Sequence, residues 1–245
     1  MSIMFKKPLY VGKSQFGSYR IVDTIYNGRP SRVLYGDDRT PQSGTALDGD
    51  PELLFNYNQR FLEMIAGFLP KRILIIGGGV LMLPIAVFDR FPQIAIDVVE
   101  IDELLVDLSY EYFDAPLDPR LTIHVQDGKE YLQSTHQRYD MIIVDAFSGF
   151  TIPAHLLEHD TVALYKKHLR SNGVLAINAL SRIVSTKHRL AKEVVATFEE
   201  VFAETTLFQA DSEQSLREDQ NVIIVASDAV LDFEYVQSVD VSDSL

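Results

Sequence analysis

The stretch that decides the fold is ILIIGGG at residues 73–79, an apolar run followed directly by three glycines. Such a run predicts a buried strand. Gly77, Gly78 and Gly79 predict a tight turn into a helix, where a ligand can approach the backbone near the positive end of the helix dipole. A dinucleotide fingerprint would need a further glycine at position 82, which is Met82. The turn therefore departs from the NAD-binding pattern, and a turn without any ligand is the alternative interpretation.

Further apolar runs alternate with predicted helices, at residues 95–99, 121–125, 141–144 and 174–177. This alternation indicates a parallel sheet covered on both faces. Asn172 and Gly173 are expected to cap the helix before the last of these strands. The final runs, 204–209 and 221–226, are joined only by a polar loop, so they should pair antiparallel. The predicted fold class is α/β, a seven-stranded doubly wound sheet of the class I S-adenosylmethionine-dependent methyltransferase type with its last strand antiparallel.

The region before residue 50 is rich in β-branched and aromatic residues, and Asn27-Gly28 is a hairpin turn signal. From Asp50 the spacing becomes helical, with Pro51 expected at the first helical position and Pro70 ending the helix. We therefore predict three parts of the chain: a β-rich N-terminal segment at 1–49, a methyltransferase-like nucleoside-binding domain at 50–227 and an acidic tail at 228–245.

Three successive strand ends carry an acid, on the rim where open α/β sheets bind ligands. Glu100 ends the second strand, 21 residues after Gly79, where a carboxylate can accept hydrogen bonds from both hydroxyls of a ribose. Asp127, followed by Gly128, ends the third strand, and Asp145 ends the fourth. With the glycine turn, these positions favour a nucleoside site that has Asp127 near the adenine amino group and Asp145 beside a reactive sulfur.

Other interpretations of these residues stay open. Glu100 is alternatively a solvated acid in a loop, and Asp102 replaces it if the strand ends two residues later. Each of the three acids is alternatively an ordinary helix N-cap, Asp127 in particular for the helix that follows it. His155 and His159 are four residues apart, as zinc ligands on one helix face are, although the sequence shows no third ligand.

The composition limits the function classes. The net charge is −13, from 35 acidic and 22 basic residues, which makes nucleic acid a poor partner and would attract a cationic small molecule. The chain contains no cysteine, which excludes thiolate chemistry and fits a cytoplasmic protein. It has no run of 18 apolar residues and no apolar N-terminal stretch of signal-peptide length, so neither a membrane span nor secretion is expected.

Six motifs across roughly residues 70–180 resemble, in order and spacing, the polyamine aminopropyltransferases, the spermidine synthase family. They look most like a divergent bacterial branch of spermidine synthase-like proteins. The motifs are ILIIGGG at 73–79, VEID at 99–102, DPR at 118–120, DG at 127–128, YDMIIVD at 139–145 and NGVL at 172–175. The resemblance implies that the donor substrate is S-adenosylmethionine or its decarboxylated form.

The resemblance also implies two groups of site residues. The cofactor-binding group would hold the nucleoside and its methionine-derived chain, and comprises Gly77, Gly78, Gly79, Glu100, Asp127 and Gly128. The catalytic group is Asp145, which would orient the amine nucleophile, together with Tyr57, which is alternatively a core aromatic.

The sequence departs from the family pattern at three places. The family's aspartate after the glycine turn, which grips the aminopropyl amine, is Val80 here. The family's second aspartate in the fourth-strand motif is Ser148, and its tyrosine–histidine–glutamate run corresponds to residues 57–59, which read YNQ. A neutral valine would tolerate ordinary S-adenosylmethionine, whose tail carries its own carboxylate.

The expected function is therefore transfer of an aminopropyl group from an S-adenosylmethionine-derived sulfonium to a small-molecule amine acceptor. The alternatives are an S-adenosylmethionine-dependent small-molecule methyltransferase and a non-catalytic nucleoside-binding homologue. No metal, nucleic acid or membrane partner is expected, and a homodimer is one assembly that the N-terminal segment would allow.

Overall fold

The structure is a computed structural model that describes residues 7–37, 39–49, 53–182 and 190–230. Its first part is a four-stranded antiparallel sheet in the order β1-β2-β3-β4. Asn27 and Gly28 connect β2 and β3 and both have positive φ, as a two-residue hairpin turn requires, so the predicted hairpin is confirmed. The strands are β1 (Tyr10–Lys13), β2 (Ser18–Tyr26), β3 (Arg29–Tyr35) and β4 (Pro41–Ala46).

The second sheet has seven strands in the order β10-β11-β9-β8-β5-β6-β7. Strands β5 to β9 pair in parallel, whereas β11 is antiparallel to both β9 and β10, so the predicted fold class is confirmed. The strands are β5 (Arg72–Ile76), β6 (Ala95–Glu100), β7 (Leu121–Val125), β8 (Tyr139–Val144), β9 (Leu169–Ser181), β10 (Glu204–Gln209) and β11 (Gln220–Ser227).

Helices cover both faces of this sheet: α1 (Asn56–Phe68), α2 (Met82–Arg90), α3 (Glu103–Tyr112), α4 (Gly128–Ser134), α5 (His159–His168) and α6 (Leu190–Glu199). Alternate residues of β5 belong to different cores, Ile73 and Ile75 to one, and Leu74 and Ile76 to the other. The first core includes residues of the four-stranded sheet, α1, α2 and α3, and the second includes α4, α5 and α6. Burial on both faces explains why the strands are continuously apolar.

The order of the strands reverses between β5 and β8. Strands β6 and β7 lie on one side of β5, whereas β8 and β9 lie on its other side. Ligands of open α/β sheets bind at the carboxyl ends of the strands beside such a reversal. In the described ranges, no helix is long and apolar enough to cross a membrane. The predicted limits at 49/50 and 227/228 stay predictions, and the acidic tail beyond residue 230 lies outside the described residues.

The prediction of a helix starting directly after Asp50 is wrong for residues 53–55, because α1 begins at Asn56; Asp50 and Pro51 lie outside the described residues. Leu53 is buried, and its carbonyl accepts a hydrogen bond of 2.8 Å from the side chain of Gln59. The Phe55 ring packs 5.5 Å from the ring of Tyr26 in the four-stranded sheet. Contacts with the rest of the protein therefore keep residues 53–55 out of the helix, despite their helical spacing.

The prediction that Asn172 and Gly173 cap a helix is also wrong. Helix α5 ends at His168, and both residues lie inside β9. Asn172 has a φ of 62°, and the register between β8 and β9 shifts in this region. The two residues therefore form an irregularity in a long strand, with Asn172 in the left-handed region that asparagine tolerates better than most residues.

Candidate active site at the carboxyl edge of the sheet

The strand registers bring one row of residues together at the carboxyl edge. Ile76 pairs with Val99 on one side and with Val144 on the other, and Val144 pairs with Ile177. The next residue of each strand therefore belongs to the row. Across β6, β5, β8 and β9 these residues are Glu100, Gly77, Asp145 and Asn178.

The glycine turn allows close approach at two different points. Gly77 has a φ of 89°, and a Cβ at this position would overlap the carbonyl of Asp145. Gly79 has a φ of 53° and faces open space, with nothing within 4 Å of where a Cβ would be. Helix α2 begins only at Met82. The turn thus packs tightly against β8 at Gly77 and leaves room for a ligand at Gly79.

Glu100 closes the turn from the neighbouring strand. Its side chain is only 6% exposed. Its carboxylate accepts hydrogen bonds from the backbone N–H groups of Gly79 at 2.7 Å and Asp102 at 2.9 Å. Burial raises the pKa of Glu100, although these hydrogen bonds oppose the shift. The turn and the acid are therefore fixed relative to each other, and the carboxylate retains lone pairs for further donors.

Asp102, the alternative to Glu100 at this strand end, is held by contacts within the protein. Its Oδ2 accepts hydrogen bonds from the hydroxyls of Ser14 at 2.5 Å and Tyr19 at 2.8 Å, and its Oδ1 accepts one from the N–H of Leu104 at 3.1 Å. The residue caps α3 and connects it to the four-stranded sheet. These contacts therefore give Asp102 a structural role between α3 and the four-stranded sheet.

Asp127 is the N-cap of α4, which was the alternative interpretation of this residue. Its Oδ1 accepts hydrogen bonds from the N–H groups of Lys129 at 2.8 Å and Glu130 at 3.1 Å. Its Oδ2 lies 2.8 Å from Nε2 of His155. Burial opposes ionisation, but these hydrogen bonds outweigh it and lower the pKa of Asp127. At the next residue, Gly128, a Cβ would meet Ile76 at 2.5 Å, so glycine lets α4 pack directly on β5.

The two histidines weighed as zinc ligands do not share a helix face. His155 lies in a single helical turn at Ala154–Leu156, and His159 begins α5. His155 instead pairs with Asp127, a partner that sequence spacing does not reveal. Among the residues that the structure describes, no group of three or more His, Asp or Glu is arranged to hold a metal ion.

Asp145 is half-buried, and its Oδ1 accepts a hydrogen bond of 2.8 Å from the side-chain amide of Asn178. Burial raises its pKa to about 7; the Asn178 amide lowers it and the charge of Glu100 raises it. Tyr57, on α1, lies close enough for Asp145 to contribute, after burial, to raising the pKa of the phenol. The fold therefore brings Asp145, Glu100 and Tyr57 into one region.

The three departures from the family pattern occupy different environments. Val80 is fully buried in the apolar core, whereas Ser148 is exposed in the loop after β8. Asn58 is 3% exposed, and within the described part of the chain its Oδ1 has no hydrogen-bond partner. A buried acceptor beside Tyr57 is a feature that the sequence does not reveal.

A groove of about 300 Å³ exists elsewhere on the molecule. It is lined by residues of α1, the segment before it and the end of α2: Leu53, Gln59, Leu62, Glu63, Ala66, Arg90 and Phe91. The end of α2 lies at the amino edge of the sheet, because the helix runs back from the glycine turn. We therefore place the candidate site at the carboxyl edge, where the acids and the open space beside Gly79 meet.

The raised pKa of Asp145 predicts a pH dependence of stability. Between about pH 4 and about pH 7 the unfolded state has lost this proton while the folded state retains it, so stability falls as the pH rises. Asp145→Asn removes this loss. In urea denaturation, the free energy of unfolding of the variant is compared with that of wild type at each pH. This difference should shift in favour of the variant by about 2 kcal/mol as the pH rises from about 5 to about 8.

The matched control for this measurement is Asp160→Asn, because Asp160 has a 93% exposed side chain. Its difference from wild type should change with pH by less than about 1 kcal/mol, the scale of its exposed pair with His159. An equally small change for Asp145→Asn would mean that the folded state ionises Asp145 as readily as the unfolded state.

The strand order, with its reversal between β5 and β8 and the antiparallel β11, defines a protein of the class I methyltransferase fold. Within that class, the chain belongs to the spermine/spermidine synthase family, whose domain model matches residues 61–234.

Three relatives illustrate the relationship. A polyamine aminopropyltransferase of Vibrio vulnificus is 33% identical over 175 residues, 69% of this chain and 56% of the relative. Putrescine N-methyltransferase 2 of Nicotiana tabacum is 28% identical over 82% of this chain and 56% of its own length. The crystal structure of a probable spermidine synthase from Corynebacterium glutamicum matches with a TM-score of 0.79 at 24% identity, covering 92% of this chain and 82% of that one. The chain spans about half the length of the two curated relatives.

Proposed function

We propose that the protein transfers an aminopropyl group from decarboxylated S-adenosylmethionine to a small amine. The observation that carries the proposal is Asp145, an acid with a pKa of about 7 at the carboxyl edge of β8, beside the glycine turn and Glu100. A proton acceptor matched to neutral pH is what an amine nucleophile needs. The family to which the chain belongs supports the same reaction class.

The reaction is an in-line displacement. The nitrogen lone pair forms a bond to the carbon attached to the sulfonium, and the carbon–sulfur bond breaks, leaving its electron pair on sulfur as a neutral thioether. The protein therefore has to align the partners and exclude water. An amine that titrates about three units above neutral costs about 4 kcal/mol to deprotonate at pH 7. Asp145 would orient this amine and accept its proton.

The other site residues would hold the donor. Glu100, already fixed against Gly79, would accept hydrogen bonds from the ribose hydroxyls, and the open space at Gly79 would admit the nucleoside. Gly77 and Gly78 would form the rest of this turn. Asp127, with Gly128, would meet the adenine. These two carry the α4 cap and its close packing on β5, so a contact with adenine would be an addition to their structural role.

The acceptor would lie between β8 and α1. Asp145 would contact its reacting nitrogen, and the phenol of Tyr57 would flank it. The buried Oδ1 of Asn58, beside Tyr57, would accept a hydrogen bond from an ammonium group.

A second candidate function is methyl transfer from intact S-adenosylmethionine. The specific observation is Val80, which is fully buried in the apolar core at the position where the family places an acid for the aminopropyl amine. The relationship to a putrescine N-methyltransferase of Nicotiana tabacum supports this alternative.

The two reactions leave different products, so one assay separates them. The wild-type protein is incubated with putrescine and either donor, and the nucleoside product is identified by mass spectrometry. Aminopropyl transfer predicts methylthioadenosine from the decarboxylated donor, and methyl transfer predicts S-adenosylhomocysteine from the intact donor. Heat-denatured protein is the control. Nucleoside binding without either product would contradict both reactions and leave a binding protein. Val80→Asp is a poor substitute for this comparison, because it would bury a carboxylate in an apolar core.

A further inference from the structure

We propose that Asn178 and Asn221 act as a pair of positioning residues that aim the Asp145 carboxylate at the acceptor amine. The inference deepens the proposed function and rests on it. Within the residues that the structure describes, Asn178 is the side chain that hydrogen-bonds to Asp145, through Oδ1. This contact fixes one carboxylate oxygen and leaves Oδ2 for the amine.

The first contact follows from the sheet register. Asp145 and Asn178 are the next residues after the paired Val144 and Ile177, so their side chains lie on the same face of adjacent parallel strands. Asn178 is completely buried, and its Nδ2 donates to Oδ1 of Asp145 at 2.8 Å. A buried amide in a fixed strand has little freedom to follow a moving carboxylate, so it holds the carboxylate in place.

The second contact sets the direction of the Asn178 amide. Asn221 on β11 donates from its Nδ2 to Oδ1 of Asn178 at 2.9 Å. The two residues are diagonal neighbours, because Asn178 pairs with Ile223 and Asn221 with Leu180. If the Asn178 amide turned over, its oxygen would face the Asp145 carboxylate and its NH₂ would face the Asn221 donor. Asn221 therefore keeps the donor side of Asn178 towards Asp145.

Packing alone does not explain two amides here. Their strand neighbours at 174–177 and 222–226 are apolar and buried, and an apolar residue in place of a buried amide avoids the cost of desolvating it. The pair instead continues the polar row that Glu100, Gly77 and Asp145 begin. The amide pair also stabilises the Asp145 carboxylate only moderately. A neutral donor stabilises a carboxylate less than an Arg or Lys would, so Asp145 still binds a proton near neutrality.

Among the residues that the structure describes, the charged and titratable groups that interact with Asp145 are Glu100 on β6 and Tyr57 on α1. Neither changes in the variants that test the pair. Any change in the titration of Asp145 in those variants is therefore attributable to the amides.

The test is the titration of the Asp145 side-chain carboxyl, followed by ¹³C NMR in the full chain and assigned with Asp145→Asn. Asn178→Leu should raise the midpoint by about one to two pH units, because a hydrogen bond to the charged form is lost. Asn221→Leu should raise it less, since the amide of Asn178 then has two orientations. Gln220→Leu is the matched control, because it removes another buried amide of β11 that points to the opposite face.

This titration does not require turnover, so it remains informative if the proposed reaction is wrong. If the reaction is right, the acid limb of the kcat profile should move with the midpoint, while the KM for the donor stays constant. Unchanged titration in both Asn178→Leu and Asn221→Leu would overturn the inference, as would an equal shift in Gln220→Leu. Should Asn178→Leu fail to fold, the less buried Asn221→Leu decides the question alone.

Discussion

Asp145→Asn is expected to lower turnover about a hundredfold or more, while nucleoside affinity stays within a few-fold of wild type. The amide keeps the shape of the side chain, and its oxygen can still accept the hydrogen bond from Asn178. It can neither take a proton nor attract a cationic amine. Donor binding should survive, because the residues proposed to hold the nucleoside lie elsewhere along the sheet edge: Glu100 ends β6, and Asp127 caps α4. Steady-state kinetics with putrescine and calorimetry with methylthioadenosine measure the two effects separately.

The control for this experiment is Asp160→Asn, the same chemical change at an exposed residue of α5. Turnover should not change there. If Asp145→Asn retains wild-type turnover, another group accepts the amine proton and the catalytic assignment fails. If it loses nucleoside affinity as strongly as turnover, Asp145 contributes to holding the donor rather than to the chemistry.

The sequence was sufficient for the fold class and for the edge of the sheet at which the candidate site residues lie. Residues 73–76 are apolar at every position because both faces of β5 are covered, and such a run is visible without a structure. The end of each strand follows from where the run stops. Glu100 and Asp145 could therefore be placed at one edge, since parallel strands end on the same side.

The contacts between distant residues could not be predicted in this way. His155 and Asp127 are 28 positions apart, and Asn221 and Asn178 are 43 apart. Their proximity depends on the loop after β8 and on the position of β11 beside β9. The sequence also offers no local signal for the protein contacts of Asp102, which depend on how the four-stranded sheet packs against α3.

Glu100→Ala is expected to weaken nucleoside binding about ten- to a hundredfold. The proposed contact is a charge-assisted hydrogen bond to the ribose, which is worth about 1.5–3 kcal/mol. The variant should also be less stable, because the same carboxylate accepts hydrogen bonds from the Gly79 and Asp102 backbone amides. Alanine leaves both amides without this acceptor, so the glycine turn should loosen and the free energy of unfolding should fall by about 1–3 kcal/mol without loss of the fold.

Calorimetry with methylthioadenosine gives the affinity, and urea denaturation gives the stability of the same sample. Glu103→Ala is the control, because Glu103 is an exposed acid three residues further along the chain. Its affinity should match wild type. Glu100→Gln separates the two roles: it keeps an acceptor for one amide but loses the charge, so affinity should fall with a smaller loss of stability. Unchanged affinity in Glu100→Ala, with the fold intact, would remove Glu100 from the nucleoside site and with it the argument that the open space beside Gly79 receives a ribose.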